Sequence, residues 1–154
     1  MTPAVELAKR QKISFRLHEY IHDPKSASYG LEAAEKLKLP PERVFKTLVV
    51  ELADKSLAVA VLPVTAMLNM KLCAKALAAK KAAMADASAV ERSSGYVLGG
   101  VSPLGQKKAL KTVIDQSARG FDSIFVSGGK RGLEIELAAD DLVLCTRGTF
   151  ASIC

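Results

Sequence analysis

Between residues 13 and 20 the chain alternates strictly, with Ile13, Phe15, Leu17 and Glu19 on one side and Ser14, Arg16, His18 and Tyr20 on the other. A period of two predicts a strand. Ahead of it, Ala4, Leu7 and Ala8 recur at helical spacing behind Thr2-Pro3, an N-cap residue followed by proline at the first helical position, which predicts a helix to about Lys12. Residues 21–28, with Asp23-Pro24, read as a loop. A second helix is predicted over 31–37, stopped by Pro40-Pro41, and residues 44–51 and 56–64 are runs rich in β-branched side chains that predict two more strands. Over 69–81, Leu72, Ala76, Leu77 and Ala79 return to helical spacing, and 86–93 predicts a further helix capped by Asp86 and closed by Gly95.

The segment YVLGGVSPLGQKK then breaks every periodicity and demands a special backbone path. Beyond it, 111–115, 123–127 and 132–137 predict strands, the last two joined by the turn Gly128-Gly129-Lys130-Arg131, and 140–146 predicts a terminal helix. No repeat or linker interrupts the series. The expected fold class is α/β or α+β, with a mixed, curved sheet in one domain spanning 1–154.

Composition narrows the partners. With 154 residues and 49% hydrophobic positions, the chain is long enough to bury about 68–70% of its unfolded surface and so to hold a core and one pocket. The net charge of +6 suits a polyanionic partner. Aromatic residues, at 5%, are too few for a base-stacking platform. Three distant cysteines, Cys73, Cys145 and Cys154, argue against a disulfide framework and against zinc pairs, which implies a reducing compartment. Without a signal-like or membrane-length apolar run, the expectation is a cytoplasmic protein with no membrane partner.

Lys46 is the most informative single position, because its strand-face neighbours at two-residue spacing, Val44, Leu48 and Val50, are apolar. Two readings fit: an ammonium group projecting into a ligand pocket, or a lysine carrying its charge to solvent over an apolar stem. The loop Gly99-Gly100-Val101-Ser102-Pro103-Leu104-Gly105 fits either a tight turn or a backbone N–H nest for an oxyanion or phosphate, and it is neither a Walker nor a dinucleotide-binding loop. Ser127-Gly128-Gly129 fits a hairpin turn or a second wall of the same pocket. With only His18 and His22 as imidazole bases, and neither in a nucleophile motif, a Ser/His or Cys/His mechanism is poorly supported. No metal-ligand spacing occurs, and no metal or cofactor is expected. Lys107, Lys108, Lys130 and Arg131 flank the glycine loop and the turn, where phosphate contacts are geometrically sensible.

The blocks FKTLVV, MADASAVERSSGYVLGGVSPLG and VSGGKRGLEIEL, with the opening MTPAVELAKRQKISFRLHEY, resemble the bacterial YbaK family of Cys-tRNA(Pro) deacylases over residue 1 to about Leu142. The resemblance implies a partial barrel flanked by helices and a trans-editing enzyme that removes cysteine from mischarged tRNA(Pro), in transient complex with prolyl-tRNA synthetase. It places the pocket lysine at Lys46, the Gly-x-x-x-Pro loop at Gly99 to Pro103, and substrate contacts at Tyr20, Tyr29, Thr47, Gly99, Ser102, Pro103, Ser127, Gly128, Gly129 and Glu134; within that loop Gly100 and Val101 are the expected oxyanion donors. Tyr29 and Glu134 depart from the family, which often carries Phe and Asp there. The mechanism it implies uses the substrate's own thiol, so that no protein nucleophile is needed. Two rivals remain: an Ala-tRNA(Pro) deacylase that activates water, and a non-catalytic module that binds tRNA or the synthetase. Past Leu142 the ending matches poorly.

Overall fold

A computed structural model describes residues 1–26 and 28–154. Helix α1 (Pro3–Arg10) starts as its sequence dictates, with the Thr2 hydroxyl accepting from the Val5 N–H. It stops two residues earlier than its periodicity implies, because Lys12 turns into the left-handed region at φ 57°. Strand β1 (Phe15–Glu19), α2 (Tyr29–Lys36), β2 (Phe45–Leu52) and β3 (Leu57–Pro63) follow, then α3 (Met70–Ala76), β4 (Ala82–Met84) and α4 (Ala87–Ser94). The chain closes with β5 (Lys111–Asp115), β6 (Ile124–Ser127), β7 (Leu133–Leu137), α5 (Ala139–Thr146) and β8 (Thr149–Ala151). Two elements escape the sequence pattern. The predicted 69–81 helix ends at Ala76, since Ala78 has φ 55°, and leaves β4 beyond it; β8 lies in the poorly matched tail.

The strands form two sheets rather than a closed barrel. One is antiparallel, in the order β1-β7-β6; the other is mixed, in the order β4-β2-β3-β5-β8, with β3, β5 and β8 mutually parallel. They meet at a parallel bridge between Val44 and Phe125 at the start of β2. Between them lies the main core, built from Val49, Val59, Val61, Ile114, Ile124, Val126, Leu133, Ile135 and Leu137. The other face of the mixed sheet (Val50, Ala58, Ala60, Leu62, Val113) packs on Cys73 and Ala74 of α3 and on Leu77 just after it. Strand β3 is therefore covered on both faces, which is why its sequence is a continuous apolar run rather than an alternation.

The edge of β2 positions the site. Val64 N–H donates to the Val44 carbonyl and Ala85 N–H to the Val49 carbonyl, so even-numbered residues of β2 direct their backbone groups to β3 and odd-numbered ones away from it. Strand β4 covers that outer edge only from Val50 to Leu52. The stretch around Thr47 is left as an open strand edge.

Candidate functional site

A cavity of 520 Å³ opens at this uncovered edge. Its walls come from β2 (Phe45, Lys46, Thr47, Val49), the start of α2 (Tyr29, Gly30), α4 (Val90), the glycine loop (Gly99, Val101), and the β6–β7 hairpin (Ser127, Lys130, Arg131, Glu134), with Tyr20 after β1. Exposed Met84, Leu98 and Tyr29 give it an apolar rim.

Thr47 shares the core-facing side of β2 with Phe45 and Val49. Its hydroxyl is buried with no hydrogen-bond partner among the described residues. By the alternation above, its backbone N–H and C=O also face the open edge, so one residue offers three polar groups to an occupant. A buried polar group left unmated is costly, and a ligand in the cavity is the natural partner.

Lys46 projects from the opposite face of the strand, beside Leu48. Its ammonium donates to the Ala66 carbonyl at 2.7 Å. Neither sequence reading describes it fully: the group is half-buried and tethered, and not simply extended to solvent. Burial lowers its pKa, while the Cys154 thiol acts in the opposite sense. Glu134, only 7% exposed, pairs across the sheet with His18 and Ser127 and faces the cavity. Burial pushes its carboxyl up to about 8, so the group is largely protonated at neutral pH. Burial raises Tyr20 as well, with the Glu134 charge acting in the same direction.

The glycine loop divides the expected residues. Gly100 N–H donates to the Val97 carbonyl at 2.9 Å, inside the loop. No backbone carbonyl among the described residues accepts from Val101 N–H. Gly100 is a glycine for packing: a Cβ there would stand 2.8 Å from the Lys130 Cα. Ser102 and Pro103 are buried outside the cavity, the Ser102 hydroxyl accepting from the Leu104 N–H. Gly128 and Gly129 shape the hairpin turn, where Gly128 N–H donates to the Leu133 carbonyl. Lys107 and Lys108 are exposed and pinned by their backbone N–H groups to the end of α4, away from the cavity wall.

Tyr20, Tyr29, Lys46, Thr47, Gly99, Val101, Ser127, Lys130, Arg131 and Glu134 thus come together, while Gly100, Ser102, Pro103, Gly128, Gly129, Lys107 and Lys108 stand outside. Sequence reasoning missed the apolar walls, Val90 and Leu98 among them, which helix and loop positions far from Lys46 contribute. It also missed His22 and Glu32 behind Tyr29, ten residues apart and matched by no motif.

Among the described residues, no histidine or cysteine lines the cavity. His18 is held by Glu136 at 2.9 Å and His22 by Glu32 at 2.7 Å, and Cys73 is buried under the other sheet face. Among the described residues, no group of three or more His, Cys, Asp and Glu is placed to hold a metal ion. No helix described is long and apolar enough to cross a membrane.

Comparison with known proteins finds a match between residues 24–144 and the model of the aminoacyl-tRNA editing domain. A protein of Enterococcus faecalis, EbsC, described as a candidate Cys-tRNA(Pro)/Cys-tRNA(Cys) deacylase, is 36% identical over 99% of this chain and 92% of its own. Among solved structures, the hypothetical protein APE2540 superposes with a TM-score of 0.87 at 25% identity, covering 99% of both chains. A candidate trans-editing enzyme for prolyl-tRNA synthetase superposes at 0.82 with 17% identity, over 99% of this chain and 98% of that one, and shares the fold.

Proposed function

The chain belongs to the aminoacyl-tRNA editing domain family and is a deacylase of that class; from this premise we propose that it removes cysteine from mischarged Cys-tRNA(Pro), using the substrate's own thiol as nucleophile. The observation that carries the reading is a cavity rich in hydrogen-bonding groups and empty of any Ser/His or Cys/His pair. A site without its own nucleophile suits a substrate that brings one.

In this account the cysteine Sγ attacks its own ester carbonyl. The S–C bond forms as the C–O bond to the tRNA 3′ end breaks, and the thiol proton ends on the departing 3′ oxygen, leaving a cyclic thiolactone. The protein contributes placement. Holding thiol and carbonyl in a reactive geometry is worth up to several kcal/mol. The Thr47 edge carbonyl accepts from the α-amino group, and its hydroxyl and N–H fix the ester. Val101 N–H stabilises the tetrahedral oxyanion. Lys46, on the other face of β2 with one donor on Ala66, keeps its remaining donors for the phosphate of the terminal adenosine. Glu134, neutral at pH 7, donates a hydrogen bond without setting a negative charge against the polyanionic substrate. Tyr20 and Ser127 close the side-chain pocket, and Lys130 faces the incoming phosphates.

The name of the Enterococcus relative couples two tRNAs to one amino acid. That pairing supports recognition centred on cysteine, with selection of tRNA(Pro) left to a transient complex with prolyl-tRNA synthetase. Cysteine and proline are close in volume, so a synthetase pocket separates them weakly and a second site is needed.

Single-turnover deacylation of Cys-, Ser- and Ala-tRNA(Pro) tests the reading. The cysteine ester is expected to be cleaved and the other two left nearly intact. Equal cleavage of the alanine ester would establish the water-based reaction instead, and survival of all three with tRNA still bound would establish a binding module.

A further inference from the structure

Arg131 is exposed, yet three contacts fix its guanidinium. Its central carbon lies 3.7 Å from the centre of the Tyr29 ring, in stacking range. Its Nη1 is 3.0 Å from His22 Nε2. Its Nε packs on Gly99 so closely that a Cβ there would come within 2.4 Å. Arginine has no acceptor, so in this contact His22 Nε2 accepts and Nδ1 carries the hydrogen. That Nδ1–H donates to Glu32 Oε1 at 2.7 Å, and the other Glu32 oxygen takes the Asp23 N–H at 2.8 Å. Glu32 is 5% exposed. Burial alone would raise its carboxyl, but the hydrogen bonds from His22 and Asp23, with the charges of His22 and Lys36, hold it below its ordinary value. The result is a chain running carboxylate, imidazole, guanidinium, tyrosine ring.

With Gly99, these contacts join four segments: the loop before α2, the start of α2, the hairpin turn and the glycine loop. Tyr29, Arg131 and Gly99 all line the cavity, so the buckle sits across its mouth. We propose that Arg131 is a positioning residue, held by the His22–Glu32 pair, that fastens the Tyr29 wall to the glycine loop and so sets where Val101 N–H stands relative to Thr47. The inference rests on the deacylase reading for its kinetic consequence but not for its structural one. It differs from a phosphate-contact role, in which positive charge alone matters. In the positioning role the flat, five-donor guanidinium is required, and lysine cannot replace it.

The test uses Arg131→Ala, Arg131→Lys, His22→Ala and the His22→Ala/Arg131→Ala double variant, each checked for an unchanged circular dichroism spectrum. Amide hydrogen exchange in the free protein is expected to quicken at residues 29–33 and 97–101 in all four, with residues 57–63 unaffected. Single-turnover deacylation is expected to slow by ~10-fold or more at saturating enzyme, with little change in the half-saturating enzyme concentration and in salt dependence. The double variant should add nothing to the singles, as expected of residues acting as one unit. An Arg131→Lys protein with wild-type exchange and rate, or additive losses in the double variant, overturns the proposal. If exchange quickens as described while the wild-type protein cleaves no aminoacyl-tRNA, the buckle stands and the deacylase reading falls.

Discussion

Glu134 has a carboxyl pushed to about 8 in the cavity wall, against an ordinary value of 4.5. The folded state therefore binds its proton more tightly than the unfolded one. Its contribution to stability is complete below pH 4.5 and is lost as pH rises towards 8. Denaturant melts of wild type at pH 5 and 8.5 should differ by an amount on the order of a few kcal/mol that Glu134→Gln abolishes; an equal difference in both proteins would contradict the assignment. Since glutamine mimics the neutral acid, the same variant should retain deacylation at pH 7. For Lys46→Ala, deacylation should fall by ~10²-fold with the fold intact, and near-normal turnover would remove Lys46 from the machinery. Lys46 was legible as a lysine among apolar neighbours on a strand. Its tether to Ala66 was not, because the partner is a backbone carbonyl in a loop twenty residues away. Glu134 was placed only by family resemblance, since burial is invisible in the alternation of LEIEL.

At the scale of elements, local chemistry wrote the helix ends plainly. Asp86 caps α4 by accepting from the Ala89 N–H, and Gly95 closes it at φ 80°, both as the sequence predicts. Strand β4 was hidden because Ala82, Ala83 and Met84 have weak strand preference; they are extended only because Val50–Leu52 offer a ladder to pair with. Strand β8 depends likewise on a parallel partner, β5, more than thirty residues away. The glycine loop and the hairpin turn depend on each other. Gly100→Ala places a methyl group against the Lys130 backbone at 2.8 Å, so one of the two must shift. A loss of about 1–3 kcal/mol is expected, read as a melting temperature lower by about 2–4 °C per kcal/mol, together with slower deacylation. An unchanged melting temperature would mean that the two segments move independently.

Over the whole molecule, the feature that sets function is a mismatch in strand length. Strand β2 spans eight residues and β4 only three, so half of the β2 edge is left bare, and the second sheet folds over it to make a cavity. A +6 chain with a largely apolar cavity of 520 Å³ has room for an aminoacyl ester and a terminal nucleoside. The size and charge of the partner could be anticipated from composition; the bare edge could not, because it depends on where a distant strand stops. What this cavity lacks, among the described residues, is a Ser/His or Cys/His pair. The most direct measurement is the single-turnover cleavage of Cys-tRNA(Pro) beside the same ester with its thiol capped by a methyl group. Rapid loss of the free-thiol ester and persistence of the S-methyl ester are the predicted result, and equal rates for the two would contradict substrate-thiol catalysis.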